Sequence, residues 1–203
     1  MRQTIIDAGM VVVLAILLLS CVGAYDRLTW FLETVPVMLA LPLVAWGVRR
    51  WHLTSLLLVL VAVHSLVLIY GGHYTYARVP LGFWWQDWWG FERNHYDRLG
   101  HFMQGLVPAI ITREVLLRHL AAIPRWLLAL LCLCVPLAVS AVYEVLEMVA
   151  GRVSAEAAEA FLGTQGDVWD TQMDMLLAGL GALSSLLLSR WHDRQLHHHE
   201  RKI

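Results

Sequence analysis

The chain of 203 residues is 59% hydrophobic and only 15% charged, whereas soluble domains are roughly 45–50% apolar and about 25% charged. With a mean hydropathy of +0.59, this composition excludes an ordinary soluble protein and indicates a membrane protein. The formal net charge of −1 argues against nucleic-acid binding, and three cysteines without paired spacing exclude a disulfide scaffold or a zinc ribbon. The length allows one domain, and we treat residues 1–203 as a single integral membrane domain.

Six stretches of the chain are long and apolar enough to cross a membrane as helices, which takes roughly 20 mostly apolar residues. No stretch alternates between apolar and polar residues as a half-buried strand does. We therefore predict an all-α, polytopic membrane helix bundle with six transmembrane helices. The predicted spans cover residues 5–24, 30–48, 53–70, 99–117, 126–150 and 169–189.

The positive charges favour one orientation of these spans. Of the 15 Lys and Arg residues, 10 lie on the side of the N-terminus and 5 lie on the opposite side. Because cytoplasmic loops carry the excess of positive charge, we predict that both termini are cytoplasmic. The inner side holds Arg2, Arg49, Arg50, Arg113, Arg118, Arg125, Arg190, Arg194, Arg201 and Lys202, and the outer side holds Arg27, Arg78, Arg93, Arg98 and Arg152.

Tryptophans cluster at the predicted membrane surfaces, where indole rings prefer to lie. Between the third and fourth spans, residues 82–91 (GFWWQDWWGF) are too apolar for water and too few to cross the membrane. We predict that this segment is an interfacial helix or a re-entrant element, serving either as a plain anchor or as a clamp for a lipid substrate. Six further tryptophans fall at predicted span ends: Trp30, Trp46, Trp51, Trp126, Trp169 and Trp191.

Acidic residues are concentrated on the predicted outer side, and several lie inside spans, where ionisable groups are costly and usually functional. Their spacing places them on single helix faces, at i, i+3, i+4 or i+7. Six carboxylates and one imidazole at the same depth would repel strongly unless they shared protons or a cation. This predicted acidic cluster comprises Asp97 and His101 on the fourth span, Glu144 and Glu147 on the fifth, and Asp167, Asp170 and Asp174 on the sixth.

Structural roles compete with function for some of these residues. Asp97 and Asp167 could be helix N-caps, which need no ligand. Glu144 and Glu147 lie near the C-terminal end of their helix, where the dipole disfavours negative charge, and Asp174 lies too deep for a cap. For these three residues we favour a functional role over a structural network.

Other residues carry weaker signals. His64, within the third span, is either a hydrogen-bonded core residue or a ligand, and His73 and His95 flank the outer loop within reach of the cluster. At the predicted inner ends, Arg113 and Glu114 are expected to extend toward the headgroups. Small residues would permit close approach of the fourth and last spans: Gly105, Ala109, Ala178, Gly179, Gly181 and Ala182.

Carboxylates combined with an imidazole suit a hard or borderline divalent cation such as Mg²⁺, Mn²⁺, Fe²⁺ or Zn²⁺. Such an ion could activate a water molecule or polarise a phosphoryl or carbonyl oxygen. The predicted metal ligands are His101, Glu144, Asp170 and Asp174. The predicted catalytic residues are Glu147 or Asp97 as the acid/base and Arg98 as the group that holds an anionic headgroup.

Three motifs carry a resemblance to a known family. Residues 96–102 (YDRLGHF), 143–147 (YEVLE) and 166–175 (GDVWDTQMDM) resemble the YjdF-type family of uncharacterised bacterial inner-membrane proteins, over most of the chain. The second half is more distantly similar to VanZ-like membrane proteins, associated with low-level glycopeptide (teicoplanin) resistance. Their motifs would fall on Asp97 to His101, Glu144 to Glu147 and Asp174 to Gly181, with Arg98 for Lys, Glu147 for Gln and Ala178 for Asn. The last two of these departures remove two amides and add a carboxylate. The YjdF-type resemblance implies a bacterial inner-membrane location.

The favoured function is that of a cation-dependent enzyme that acts on a lipid-linked or amphipathic substrate at the outer leaflet. Two alternatives stay open. The first is a proton or cation transporter, because relays of acids and histidines serve that purpose, although the inner halves of the spans offer few polar groups. The second is a non-catalytic membrane factor, acting in envelope stress or glycopeptide tolerance, whose polar cluster only fixes helix packing. No Gly-rich phosphate loop or zinc signature narrows the choice.

Overall fold

The computed structural model describes residues 1–120, 122–153 and 164–200 of the chain. This part of the chain is helical throughout, with no strand among the described residues, in agreement with the predicted all-α class. Two short helices lie between the third and fourth long ones. In chain order the helices are α1 (Arg2–Ser20), α2 (Arg27–Trp51), α3 (Ser55–Tyr74), a 3₁₀ turn (Tyr76–Arg78), α4 (Pro80–Trp89), α5 (Tyr96–His119), α6 (Arg125–Val153) and α7 (Asp170–Glu200).

Five of these helices, α1, α2, α3, α6 and α7, are long and apolar enough to cross a membrane. Helix α5 corresponds to the fourth predicted span and has 24 residues, which is about 36 Å of helix at 1.5 Å per residue. Its length is therefore sufficient, but charged residues at both of its ends interrupt the apolar run. Helix α5 is therefore less apolar than the other five long helices. It can be so because it is the most enclosed helix of the bundle and does not need a lipid-facing apolar surface.

Helix α5 packs against α3, α6 and α7, and most extensively against α7. Ala109 and Ile110, near its middle, are completely buried. Helices α1 and α2 join the bundle mainly through α3, and α1 is peripheral, with only Val13 and Leu17 buried. The charged and polar residues of α5 are thus surrounded by protein.

Glycines allow α5 and α7 to approach closely. A Cβ on Gly105 would collide with the backbone carbonyl of Ala178, and a Cβ on Gly181 would collide with the carbonyl of Phe102. The predicted packing role of small residues in these two helices is confirmed. The pairing of Gly105 with Ala178 and of Glu114 with His192 also means that α5 and α7 run in the same direction.

A buried network joins three helices near the C-terminal end of α5. Glu114 is 1% exposed and accepts hydrogen bonds from Thr54 (N at 3.1 Å and Oγ1 at 2.7 Å) at the start of α3. Its carboxylate also lies 2.6 Å from Arg118 Nη2 and 3.0 Å from His192 Nε2 on α7. The prediction that Glu114 extends toward the headgroups is wrong, because its partners hold it inside the bundle.

Arg113 is held in the same region by a second ion pair. Its Nε and Nη2 atoms donate to the two carboxylate oxygens of Asp193 at 2.8 and 2.6 Å. Paired, parallel hydrogen bonds of this kind are among the stronger side-chain interactions. Arg113 therefore ties α5 to α7 and does not extend toward the headgroups as the sequence predicted.

The tryptophans divide into exposed and buried ones. Trp46, Trp126 and Trp169 are more than half exposed, as expected of interfacial rings. Trp30 lies in the first turn of α2, at the predicted span end, but is 9% exposed and donates its indole N–H to Ser20 Oγ at 2.8 Å, so it also joins α2 to α1. Helix α4 occupies the tryptophan-rich segment and exposes Trp84, Trp88 and Trp89, and whether it is interfacial or re-entrant stays a prediction.

The close approach of α5 and α7 can be tested with two glycines. We expect Gly105→Ala to lower the free energy of unfolding by about 1–3 kcal/mol, the usual range for overpacking, because the new Cβ meets backbone atoms of α7. Gly179→Ala is the matched control, since a Cβ there meets only Leu137 Cδ2 at 3.5 Å. Thermal denaturation in detergent measures both variants, and equal midpoints would contradict the packing argument.

Candidate functional site

Five ionisable side chains from three helices meet inside the bundle. Asp97 and His101 come from the first two turns of α5, Glu144 and Glu147 from the later part of α6, and Asp174 from the second turn of α7. Each is at most 8% exposed. We call these five residues the buried site. Within it, Asp97, His101 and Asp174 form one group, and His101, Glu144 and Glu147 form another, each with its ligand atoms within 4.8 Å of one another.

His101 is common to both groups. Its Nε2 lies 3.5 Å from Asp97 Oδ1, one turn earlier on the same helix, and its Nδ1 lies 3.6 Å from Glu144 Oε1. Nδ1 is also 3.0 Å from Gln104 Oε1, which can only accept a hydrogen bond. With the proton on Nδ1, the lone pair of Nε2 faces Asp97, which is the arrangement that orients a metal-binding histidine.

Two carboxylates of the buried site each have one oxygen without a hydrogen bond. Asp174 Oδ1 and Glu144 Oε1 are shielded from solvent and accept no hydrogen bond from any described residue. An unpaired buried carboxylate oxygen is costly, so most such atoms in proteins are paired with a donor or an ion. These atoms therefore point to a proton or a cation as the missing partner.

The capping alternatives have different outcomes for the two aspartates. The N-cap position of α5 is His95, and Asp97 lies within the first turn facing His101, so the cap interpretation of Asp97 is wrong. Asp167 does act locally, because its Oδ1 accepts the backbone N–H of Trp169 at 2.9 Å just before α7.

Asp167 lies outside the buried site and pairs with two arginines. Its Oδ2 is 2.7 Å from Arg98 Nη2 and 3.3 Å from Arg93 Nη1. The backbone N–H of Trp169 and both positive charges keep the pKa of Asp167 below its usual value of 3.8. Its stabilising contribution is therefore complete above pH 3.8 and is lost as the pH falls below that value.

Arg93 is the residue of this region that the sequence did not reveal. It is 9% exposed, and its Nη1 lies 2.6 Å from Asp170 Oδ1 and 2.9 Å from the carbonyl oxygen of Thr164. Asp170, a predicted metal ligand, thus contacts Arg93 and belongs to neither metal-competent group. Arg98, predicted to hold a headgroup, pairs with Asp167. We call Arg93, Arg98 and Asp167 the rim. Arg93 lies in a loop without helical periodicity, so no sequence pattern could have assigned it to the rim.

Reciprocal hydrogen bonds fasten the segment before α7 to the segment before α5. The backbone N–H of Asn94 donates to Gln165 Oε1 at 3.0 Å, and Gln165 Nε2 donates to the carbonyl of Asn94 at 2.8 Å. The Asn94 side chain is fully buried, donates to the carbonyl of Val79 at 2.9 Å and fills the space left by Gly82. The rim is therefore anchored to α4 as well.

A polar cavity of about 140 Å³ adjoins the buried site. It brings in Glu33 of α2, which is 3% exposed and accepts a hydrogen bond from Tyr143 at 3.1 Å. Sequence reasoning passed over Glu33 because it has no spaced partner, although a lone glutamate within a predicted span was the signal. The ionisable or polar residues that line the cavity are Glu33, His64, Tyr76, Asp97, His101, Gln104, Tyr143 and Glu147, without Lys or Arg among its described lining.

Of the three other histidines that the sequence analysis singled out, only His64 reaches this region. His64 lines the cavity, and its Nε2 is buried without a hydrogen-bond partner among the described residues. His73 Nδ1 lies 2.7 Å from the carbonyl of Ser20, at the end of α1, and the His95 ring packs on Phe91. Burial and the nearby charges of two arginines lower the pKa of His95. The structure therefore does not bring His73 or His95 into the buried site.

The two rim arginines differ in what their loss would expose. Arg93→Gln leaves Asp170, which is 5% exposed, without its cationic partner, and we expect a loss of about 3 kcal/mol in the free energy of unfolding. Arg98→Gln is the control, with a much smaller loss, because Asp167 is solvated. Thermal denaturation compares them, and an equal loss in both would contradict the burial argument.

Comparison with known proteins places the chain among inner-membrane proteins. A family model described as "Predicted membrane protein (DUF2238)" matches residues 6–194. The chain is similar to the inner membrane protein YjdF of Escherichia coli (strain K12), with 46% identity over 197 residues, covering 97% of this chain and 94% of that protein. No solved structure matches. The YjdF-type resemblance is confirmed, and the VanZ-like one stays a prediction. The chain belongs to the DUF2238 family of predicted membrane proteins.

Proposed function

We propose that this protein is a cation-dependent enzyme that acts on a lipid-linked or amphipathic substrate at the outer leaflet of the inner membrane. The observation that carries the proposal is a pair of buried carboxylate oxygens beside His101, on Asp174 and Glu144, that accept no hydrogen bond from a described residue. Buried carboxylates that do no more than fix packing are expected to be saturated, as Glu114 is. The family match supports the membrane location and leaves the reaction open.

The residues of the buried site suit a small divalent cation. His101 would contribute Nε2, Asp174 its unpaired oxygen, and Asp97 the oxygen nearest to the ring. Glu144 Oε1 lies beside Nδ1, so Glu144 would join this set only by turning toward Nε2. Carboxylate oxygens with one imidazole nitrogen fit Mg²⁺, Mn²⁺, Fe²⁺ or Zn²⁺. Asp170 would join this set only by leaving Arg93, so we give it a supporting role.

The neighbouring residues supply the rest of the proposed chemistry. A cation held here would polarise a phosphoryl or carbonyl oxygen or activate water. Glu147, which faces both the buried site and the cavity, would take or return the proton, with Asp97 as the alternative. Arg98, at the rim, would exchange its pairing with Asp167 for an anionic headgroup.

We further propose six spans with both termini in the cytoplasm. Helix α5, the fourth span along the chain, adds a sixth to the five apolar helices. Hydrogen bonds connect its two ends to the two halves of α3: Tyr96 Oη donates to the carbonyl of Val67, and Glu114 accepts from Thr54. A helix matched in this way to a membrane-spanning neighbour crosses the same thickness. The excess of positive charge on the side of the N-terminus supports the orientation.

Metal binding by the purified protein tests the function. We expect about one equivalent of Mn²⁺ or Zn²⁺ in equilibrium dialysis, and an affinity at least about tenfold lower for Asp174→Asn, which loses one ligand oxygen. Asp87→Asn, which changes an exposed carboxylate on α4, is the control and should bind as the wild type does. The thermal midpoint verifies that each variant is folded.

Two results would overturn this proposal as a whole, and a third would remove the buried site from it. One is a folded wild-type protein that binds no divalent cation under these conditions. The other is cation flux into proteoliposomes that Glu144→Gln abolishes, which would assign the buried site to transport. A cation that binds equally well to Asp174→Asn and to the wild type would remove the buried site from the proposal.

Thiol labelling of intact cells tests the topology. In a background with Cys21, Cys132 and Cys134 changed to Ala, a membrane-impermeant maleimide should label Asp87→Cys and should label Arg125→Cys only after lysis. Both positions are exposed, at α4 and at the start of α6. Labelling of Arg125→Cys in intact cells would contradict the orientation.

A further inference from the structure

A second, apolar cavity of about 350 Å³ lies between α2, α3 and α5. Its wall is mostly aliphatic and includes Val37, Leu57, Val61, Val107 and Ile111. We call it the α2–α3–α5 groove. Because this surface belongs to a bundle that crosses a membrane, hydrocarbon rather than water is the solvent available to fill it.

The groove adjoins the polar cavity next to the buried site. Both are lined by the same four residues, Pro36, His64, Leu68 and Pro108. Each of the two prolines removes the backbone hydrogen bond to the residue four positions earlier in its helix, so α2 and α5 each lack one helix hydrogen bond at this boundary. A single molecule could therefore occupy both spaces, with a polar part in one and an apolar part in the other.

The two ends of the groove differ in their capacity to bind a polar group. At the inner end Glu114 and Arg118 are paired with each other at 2.6 Å, so their charges are already used. At the outer end His64 Nε2 is buried and accepts or donates no hydrogen bond among the described residues. A polar head thus gains a new hydrogen bond only at the outer end.

We propose that the α2–α3–α5 groove binds one hydrocarbon chain of a membrane lipid whose polar head occupies the cavity beside the buried site. The proposal rests on the proposed function and specifies its substrate class, a lipid that enters sideways from the bilayer. His64 hydrogen-bonds the linkage between head and chain. The chain runs toward the cytoplasmic side along α5, over about 20 Å from His101 to Glu114 at 1.5 Å per residue.

A larger groove offers an internal comparison. It lies between α1 and α3, has a volume of about 710 Å³ and is likewise lined mostly by apolar residues. It shares no lining residue with the polar cavity. We call it the α1–α3 groove. If every apolar groove on the surface bound lipid chains equally well, the α1–α3 groove would bind them at least as well as the α2–α3–α5 groove.

Photolabelling in nanodiscs tests the proposal. The probes are two phosphatidylethanolamines, whose ammonium group suits a cavity lined by carboxylates, one with a diazirine next to the ester carbonyl and the other with a diazirine at the chain end. We expect the first to label residues near His64 and Leu68 and the second to label Ile111 and Val115, as mapped by peptide mass spectrometry. Val115→Phe narrows the groove and should lower chain-end labelling of Ile111 at least threefold.

Val63→Phe is the matched control, since it makes the same change at a similarly exposed valine in the wall of the α1–α3 groove. It should leave labelling of Ile111 unchanged. His64→Leu should weaken head-proximal labelling and, because it keeps the volume, leave the thermal midpoint near that of the wild type.

Three results would overturn the inference: equal labelling of the two grooves, the reverse order of the two probes, or insensitivity to Val115→Phe. The outcome is separable from that of the proposed function. Asp174→Asn should lose the cation and keep the labelling pattern. The expected labelling in a protein that binds no cation would support lipid binding in the groove and contradict the proposed cation-dependent enzyme. A bound cation without specific labelling would support the cation site and contradict lipid binding in the groove.

Discussion

The structure depends on the enclosure of α5, a helix that carries ionisable groups at both of its ends within a bundle otherwise built for lipid. Charged side chains inside a membrane are tolerated only when they face protein partners or a cavity. α5 is accordingly surrounded by α3, α6 and α7, and two glycines, Gly105 and Gly181, bring α7 within backbone contact. This enclosure places the start of α5, the late part of α6 and the start of α7 around a common interior.

The two ends of α5 show what separates a structural polar network from a candidate site. At one end every interaction of Glu114 is matched: a threonine, an arginine and a histidine surround one carboxylate. At the other end, Asp174 and Glu144 are also buried, and each keeps an oxygen that accepts no hydrogen bond from a described residue. The cost of burying a charge is therefore compensated within the protein at the first end, whereas at the second end we propose that a ligand compensates it.

In the proposed function, the two cavities connect the buried site to the membrane. The polar cavity is too small for a whole lipid, and the groove that adjoins it is apolar. His64 lies at their junction with a buried ring nitrogen that lacks a described partner. An enzyme that draws its substrate sideways from the bilayer needs this combination, a polar interior next to a hydrocarbon-lined space.

The sequence by itself determined the all-α class, the apolar stretches that became α1, α2, α3, α6 and α7, and the candidate residues Asp97, His101, Glu144, Glu147 and Asp174. It could do so because hydropathy and helical spacing are local properties of the chain. Only the tertiary structure decided that Asp170 pairs with Arg93, that Glu33 joins the cavity and that Glu114 is buried. These contacts join residues more than 50 positions apart, and no local pattern records which distant side chain will neutralise a charge.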